Sequence, residues 1–185
     1  MQLGIALPLV DIHGEPSTVR DFAQAAEGLG YHHLGAPDHV LGANIANRPD
    51  WGNRNTSKDF FHDPFVLFGF LSACTRSIGF STQVLILAQR QTALVAKQVA
   101  SLDVLSGGRF RFGVGVGWNP VEFVGLNENF RNRGRRSEEQ SRLCRRYGPS
   151  RTSPSPASTT RSRMPGSIHC RHAAGSRSGT AAMPT

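Results

Sequence analysis

Short apolar runs and longer amphipathic stretches alternate along the first 140 residues of the chain. The apolar runs that have the length of β-strands are 3–9, 31–36, 78–87 and 109–117. Each run is followed by apolar residues at helical spacing, of which Val19, Ala23 and Ala26 are an example. Four successive strand-then-helix units predict right-handed crossovers and a parallel α/β sheet. The periodicity leaves open whether this sheet is open and doubly wound or closed into a barrel.

Polar residues and prolines mark where the predicted helices begin. The predicted N-caps are Ser17 or Thr18, Asp63, Thr92 and Asn119, the last with Glu122 as its partner in a capping box. Proline follows both Asp63 and Asn119, and it favours the first helical turn. Residues 41–62 are rich in Asn, Gly and Asp and predict a long loop. Loops of this length in compact domains commonly serve as lids or binding loops.

The composition changes after Gln140. Lys and Arg balance Asp and Glu up to this residue, so the whole net charge of +8 comes from residues 141–185, which contain eight Arg and no acidic residue. Ser, Arg, Thr, Ala, Pro and Gly dominate this segment, and they bury too little apolar surface to offset chain entropy. We therefore predict a folded α/β domain over residues 1–140 and an Arg-, Ser- and Pro-rich disordered tail over residues 141–185.

Cysteine usage and hydropathy exclude several classes of protein. Cys74, Cys144 and Cys170 include no C-x-x-C pair, so they predict neither a disulfide framework nor a zinc site. His169 and His172 flank Cys170 but lack a second pair of ligands, so no metal is predicted. The chain shows no signal pattern and no apolar run near the ~20 residues of a membrane span, which predicts a cytoplasmic protein without a membrane partner.

Asp38 and His39 are the first candidates for chemistry, since they directly follow the second predicted strand. Parallel α/β folds place active sites at the carboxyl ends of their strands, and a histidine beside a carboxylate can exchange protons near neutral pH. The alternative is that Asp38 caps a turn and His39 is a partly exposed loop residue. Spacing alone leaves both interpretations open.

The glycines of the fourth strand are the second candidate. Gly113, Gly115 and Gly117 share one face of that strand, while larger apolar residues share the other. The bare face suits either a flat ring lying on the backbone or tight packing inside a barrel. Their spacing differs from the G-x-G-x-x-G fingerprint, which disfavours a Rossmann-type dehydrogenase. At the end of the third strand, Gln83 can hold the polar edge of a cofactor and Arg90 can bind an anion.

In combination, seven segments resemble the luciferase-like monooxygenase superfamily, and more closely its branch of oxidoreductases that use the deazaflavin coenzyme F420. These segments are 3–5, 36–39, 81–87, 90–92, 97–103, 106–110 and 113–119. Their order and their positions at strand ends make the combination specific. The resemblance covers residues 1–140 and implies a TIM (β/α)8 barrel, of which this chain carries the N-terminal half with about four β/α units.

The resemblance also implies roles for individual residues. The residues matched to cofactor contacts are Asp38, Gln83, Val84, Gly115, Gly117 and Trp118. Asp38 matches a residue at the polar edge of the ring, and His39 matches an acid/base or substrate-side residue. The Gln83-Val84 bond lies where many members have a non-prolyl cis peptide beneath the ring. Trp118 stands where members that oxidise sugar phosphates carry Glu, which argues against that activity.

The reaction implied by the resemblance is hydride transfer between a small-molecule substrate and coenzyme F420, with FMN-dependent monooxygenation as the alternative. A barrel needs eight strands and ~250 residues, whereas the pattern here ends near Gln140. A shift of reading frame near Gln140 in a GC-rich gene would produce the bias of the tail. We expect such a truncated half barrel to bind the cofactor weakly or not at all, to be impaired or inactive alone, and to be able to associate as a homodimer through its unpaired strand edges.

The alternative from another class is a non-enzymatic interaction protein whose basic tail binds RNA or acidic partners. Lys and Arg gain affinity for nucleic acid by releasing phosphate counterions. The tail, however, has Tyr147 as its one aromatic residue and no regular Arg-Ser repeat. Base stacking therefore has little to act on, and nucleic acid is not the expected partner.

Overall fold

The computed structural model of the chain describes residues 1–147. Residues 148–185, and with them most of the predicted tail and the residues around Cys170, lie outside the described residues. The strands are β1 (Gly4–Ala6), β2 (His33–Ala36), β3 (Gly79–Thr82), β4 (Leu85–Ile86), β5 (Phe110–Arg111) and β6 (Val114–Gly115). The helices are α1 (Leu9–Ile12), α2 (Pro16–Gly28), α3 (Pro64–Cys74), α4 (Thr92–Leu105), α5 (Pro120–Gly125) and α6 (Arg133–Tyr147). The alternation of strands and helices confirms the predicted α/β class.

All strand pairs in the described residues are parallel, as predicted. The main sheet has the order β1-β2-β3-β5, and β4 pairs with β6 beyond it. Ser81 is aligned with Arg111, whereas Leu85 is aligned with Val114, so the register shifts by one residue between the two pairs. The third and fourth predicted strands are therefore each divided in two, because a bulge between β3 and β4 interrupts the pairing.

One face of the main sheet carries the hydrophobic core. Phe80 and Phe110 are aligned on neighbouring strands, and the ring of Phe68 from α3 lies 5.3 and 6.1 Å from theirs between centroids. The residues of opposite parity point to the other face, because side chains alternate along a strand. They are Gly4, Ala6, His33, Gly35, Gly79, Ser81 and Arg111. This inner face of small and polar residues corresponds to the interior of a closed barrel.

Two of the predicted helix starts are confirmed. Asp63 and Asn119 each accept hydrogen bonds from two backbone N–H groups in the first helical turn. The predictions for α2 and α4 are wrong: Glu15 caps α2 by accepting a hydrogen bond from the N–H of Thr18, and Gln91 precedes α4 without a side-chain cap. A proline directly follows three of the α-helix caps, and it favours the first helical turn. The sequence analysis identified two of these caps, Asp63 and Asn119, and missed the third, Glu15.

Helix α6 extends past the predicted end of the folded domain at Gln140. It continues to Tyr147, so the beginning of the predicted tail is helical. The buried residues of this helix include Ser137, Gln140 and Cys144, which have the three- and four-residue spacing of one helical face. These side chains are polar or small, so apolar periodicity did not reveal the helix. Gln140 donates a hydrogen bond of 2.8 Å from Nε2 to the backbone oxygen of Arg90, which ties α6 to the segment between β4 and α4.

Within residues 1–147, no helix combines the length and the apolar character that crossing a bilayer requires. The same residues contain no group of three or more His, Cys, Asp or Glu side chains that could hold a metal ion.

Helix α3 keeps apolar side chains on its outer surface, among them Val66, which is 70% exposed. Association as a homodimer stays a prediction.

Candidate active site

The carboxyl ends of the strands meet the long loop 41–62 around an open cavity of about 380 Å³. The residues that line it are Val10, His39, Asn53, Arg54, Asn55, Asp59, Phe61 and Trp118. His39 follows β2 and Trp118 follows β6, so strand ends supply one side of the cavity and the loop supplies most of the other. This is the end of the sheet at which parallel α/β folds place their chemistry.

His39 lies in the wall of this cavity among aromatic rings. Its ring centroid is 4.7 Å from that of Phe61 and 6.2 Å from that of Trp118. Trp118 also contacts Trp51 of the loop, with 5.8 Å between ring centroids. The His39 side chain is 17% exposed, so it is largely shielded from bulk water while bordering the cavity. An imidazole in this position can exchange a proton with a molecule in the cavity.

Glu122, in the first turn of α5, reaches the His39 ring from behind. Its Oε1 lies 3.3 Å from Nδ1 of His39 and accepts hydrogen bonds from the backbone N–H groups of Val40 at 2.9 Å and Leu41 at 3.3 Å. Glu122 is only 1% exposed. Burial acts to raise the pKa of Glu122, but the contacts with His39, Leu41 and Val40 outweigh it and hold the pKa below its usual range. An ionised carboxylate therefore stands behind the histidine.

The sequence did not reveal the contact between Glu122 and His39. It predicted Glu122 as the capping-box partner of Asn119, which is wrong because the carboxylate turns instead to the chain that follows β2. One signal was available: Glu122 stands between Val121 and Phe123 in an apolar helical turn. A lone acid in such surroundings indicates a buried carboxylate that needs a specific partner.

Asp38 is buried beside His39 and is already paired. It is 2% exposed, and its two oxygens accept hydrogen bonds from Arg90 at 2.6 and 3.2 Å and from the backbone N–H of Ile86 at 2.9 Å. Arg90 also forms an ion pair of 2.9 Å with Asp63. Burial alone would lower the pKa of Arg90, but Asp38 and Asp63 outweigh it and raise that pKa. The predicted anion site at Arg90 is thus filled by carboxylates of the protein, and contact between Asp38 and a ring stays a prediction.

Gln83 and Val84 lie at the break between β3 and β4, and the peptide bond between them is cis, as the resemblance implied. Gln83 is exposed and Val84 is 41% exposed. Gln83 also borders a second cavity of about 330 Å³ beside the end of β1. It lies over Gly35, where a Cβ atom would come within 2.2 Å of its side chain. The exposed side chains of Gln83 and Val84 therefore lie over the inner face of the sheet.

The glycines of the fourth predicted strand pack against the third. A Cβ atom on Gly115 would lie 2.2 Å from Cγ2 of Val84, and one on Gly117 would lie 2.8 Å from Cγ2 of Ile86. Gly117 also has a positive φ of 75°, which a residue with a side chain adopts only with strain. The missing side chains at these positions therefore allow the fourth predicted strand to approach Val84 and Ile86 closely. Contact of these glycines with a ring stays a prediction.

The parallel β/α sheet corresponds to one half of a (β/α)8-barrel. At its strand ends, an imidazole in contact with a buried carboxylate lies among aromatic side chains. The chain belongs to the luciferase-like monooxygenase family, whose model matches residues 1–161. The match extends beyond the predicted domain end at Gln140.

Two curated relatives from Mycobacterium tuberculosis share this sequence pattern. The uncharacterized protein Rv0940c is 34% identical over 128 residues, which are 66% of this chain and 44% of that relative. The uncharacterized protein Rv0953c is 35% identical over 107 residues, which are 55% of this chain and 38% of that relative. The chain therefore spans less than half the length of the curated relatives it matches.

Solved structures show the same fold at low sequence identity. Monooxygenase RslO1 from Streptomyces bottropensis has a TM-score of 0.65 at 22% identity, covering 79% of this chain and 42% of its own. The oxygenating constituent of 3,6-diketocamphane monooxygenase from Pseudomonas putida, in complex with FMN, has a TM-score of 0.61 at 19% identity, covering 78% and 38%. The coenzyme F420 dependent tetrahydromethanopterin reductase from Methanopyrus kandleri has a TM-score of 0.51 at 20% identity, covering 70% and 30%. These likenesses establish the fold alone.

Proposed function

We propose that this chain carries the reactive end of an oxidoreductase that uses coenzyme F420, with FMN as the alternative, on a small-molecule substrate. The observation that carries the proposal is the position of His39, which lines an aromatic-walled cavity and has a buried carboxylate on one ring nitrogen. The exposed residues Gln83 and Val84 lie nearby at the tip of β3, on the inner face of the sheet. A proton-exchanging group beside an open, mostly small-residue surface suits a reaction carried by a bound planar cofactor.

The residues of the inner face fit such a ring. Val84 offers an exposed apolar side chain, and the amide of Gln83 offers both a donor and an acceptor for a polar ring edge. Ala6 and Gly35 leave the neighbouring positions free of bulk. Asp38 would support the ring indirectly. Its carboxylate binds the backbone N–H of Ile86 and so fixes the position of Val84, two residues earlier in the chain. Gly115, Gly117 and Trp118 would complete the border of the ring.

When bound, a deazaflavin would carry hydride, and FMN would support monooxygenation. His39 would hold or release a proton at the substrate, since it is the ionisable group in the cavity wall with a carboxylate on its inner nitrogen. Phe61 and Trp118 flank the imidazole and would exclude water from it. Trp51, in contact with Trp118, would cover the substrate from the side of the loop.

The proposal is tested by fluorescence titration of the full chain with coenzyme F420 and, separately, with FMN. We expect weak but saturable binding of at least one of them, because the inner face contacts a ring from one side only. The tighter of the two identifies the cofactor. Absence of saturation with both would contradict the proposal.

A matched pair of variants locates the bound ring. Val84→Asp places a charge on the inner face, whereas Val66→Asp places the same charge on the outer surface of α3, and both positions are exposed. We expect Val84→Asp to weaken binding at least about tenfold, equivalent to ~1.4 kcal/mol, and Val66→Asp to leave it unchanged. Equal affinity of the two variants would place the ring elsewhere.

A further inference from the structure

A single carboxylate oxygen gathers three nitrogen atoms just after β2. Oε1 of Glu122 accepts the N–H groups of Val40 and Leu41 and lies 3.3 Å from Nδ1 of His39. The two residues are 83 positions apart in the chain, so this contact depends on α5 packing against the end of β2. The carboxylate is buried, and these contacts take the place of water around it.

The chemistry of the two backbone groups determines the role of this oxygen. A backbone N–H can only donate, so Oε1 must serve as an acceptor toward Val40 and Leu41. Glu122 carries negative charge, because these hydrogen bonds and His39 hold its pKa below the usual range despite burial. An ionised carboxylate has no proton to offer, so the contact with His39 is a hydrogen bond only when Nδ1 carries the proton.

We propose that Glu122 is a positioning residue that holds the His39 imidazole with its proton on Nδ1 and leaves Nε2 as the proton-accepting nitrogen. In the neutral ring one nitrogen donates and the other accepts, so fixing Nδ1 fixes Nε2. When Nε2 takes a proton, the carboxylate of Glu122 stabilises the cationic ring. The importance of this device for turnover rests on the proposed function of His39, but the position of the proton does not.

Other charged groups do not compete for Nδ1. Arg54 and Asp59 line the same cavity, and Asp59 accepts a hydrogen bond from the backbone N–H of Thr56. Asp38 precedes His39, but Arg90 and the Ile86 N–H occupy its carboxylate. Among residues 1–147, Glu122 is the group that forms a hydrogen bond or ion pair with the His39 ring.

The test is the position of the ring proton, read by two-dimensional NMR that correlates imidazole nitrogens and carbon-bound protons in the 15N-labelled full chain. The spectrum is recorded at about pH 8.5, above the ordinary range of imidazole titration. The His39 signal is identified among the seven histidines as the one lost in His39→Gln. We expect its Nδ1 to show the shift of a protonated nitrogen and its Nε2 that of an unprotonated one. Neither cofactor nor activity is needed, so failure of the proposed reaction would not affect this readout.

Two variants separate positioning from folding. Glu122→Gln keeps an acceptor oxygen that the Val40 and Leu41 N–H groups can orient, so it should retain the wild-type tautomer. Glu122→Ala removes the acceptor and should move the proton toward Nε2, the preference of a free imidazole in water. A protonated Nε2 in the wild type, an unchanged tautomer in Glu122→Ala, or the same shift in both variants would overturn the proposal. If Glu122→Ala does not fold, the wild-type and Glu122→Gln spectra still decide it.

Discussion

Charged side chains serve different partners at the two ends of the sheet. At the amino-terminal end, Glu27 of α2 accepts hydrogen bonds from the three consecutive N–H groups of residues 76–78. Arg109, just before β5, donates to the backbone oxygens of four residues. Those four are Ser72, Thr75, Ile78 and Ser106. Here an acid satisfies backbone donors and a base satisfies backbone acceptors, and the turn between α3 and β3 is held from both sides.

At the carboxyl-terminal end, charged groups pair mainly with one another. Asp38 pairs with Arg90 through two hydrogen bonds, and Glu122 lies against the ring of His39. The carboxylates also bind backbone N–H groups, but each has an ionisable side chain as a further partner. This end of the sheet also borders the cavity lined by aromatic residues.

The comparison of Glu27 with Glu122 shows which feature points to function. Both carboxylates bind consecutive backbone N–H groups, and both have a lowered pKa. Hydrogen bonds from consecutive N–H groups therefore do not by themselves indicate function, and the further donor to Glu27 is the Ser77 hydroxyl. Glu122 differs because its third partner is an imidazole that reaches a cavity, and a perturbed acid in that setting marks a candidate for proton transfer.

Asp38 gives the largest expected effect, because it lies at the carboxyl-terminal end of the sheet but its carboxylate is occupied by Arg90 and the Ile86 N–H. We expect Asp38→Ala to lower the free energy of unfolding by ~3 to 5 kcal/mol, because it leaves the guanidinium of Arg90 partly uncompensated in a buried site. Urea unfolding followed by circular dichroism measures the effect. The control is Asp21→Ala, which removes an exposed pair with Arg20 and should cause no measurable change. If both variants unfold alike, the Asp38 pair is not structural.

The sequence predicted the parts of the fold that depend on local pattern. The parallel sheet follows from the strand-then-helix repeat, and the starts of α3 and α5 follow from prolines after Asp63 and Asn119. The division of β3 from β4 did not follow, because the register shift at Gln83 arises from pairing with a strand ~30 residues away along the chain. A one-residue bulge leaves no trace in apolar periodicity.

The candidate site was predicted only in part, for the same reason. The position of His39 after β2 follows from the order of elements. Its carboxylate partner is 83 residues away, and Arg90 is 52 residues from Asp38, so neither pair is visible without the crossovers that bring strand ends together. The buried face of α6 was missed because Ser137 and Gln140 are polar.

The next largest effect on stability is expected at Glu27, at the amino-terminal end of the sheet. We expect Glu27→Ala to lower the free energy of unfolding by ~2 kcal/mol at neutral pH, since it removes several hydrogen bonds to one charged group. Folding lowers the pKa of Glu27 from 4.5 to about 2. The stabilisation is therefore complete above pH 4.5 and is lost as the pH falls through about 2. Urea unfolding at a series of pH values measures the difference between wild type and variant.

The pH series distinguishes Glu27 from a general effect of acid. The difference between wild type and Glu27→Ala should shrink toward zero at the acid end, because the wild-type carboxylate is then protonated. Glu139→Ala, on the exposed surface of α6, should leave the free energy of unfolding unchanged. A Glu27→Ala difference that stays constant down to the acid end would show that packing, and not charge, holds the turn.

The smallest expected effect on the free energy of unfolding is at Arg109. A variant at this position tests whether the shape or the charge of the side chain holds the carbonyl groups. Its Nε and both terminal nitrogens donate to backbone oxygens at 2.7 to 3.3 Å, and the guanidinium lies 5.0 Å from the ring centroid of Phe80. Arg109→Lys keeps the charge but offers three donors from a single atom, so it cannot span the same acceptors. We expect a loss of ~1 kcal/mol in the free energy of unfolding, measured by urea titration. Arg76→Lys, an exposed change in the same turn, is the matched control and should be neutral. Equal stability of the two variants would mean that a positive charge alone suffices at the amino-terminal end. The two ends of the sheet would then differ in the partners of their charged groups, and the geometry of the guanidinium would not matter.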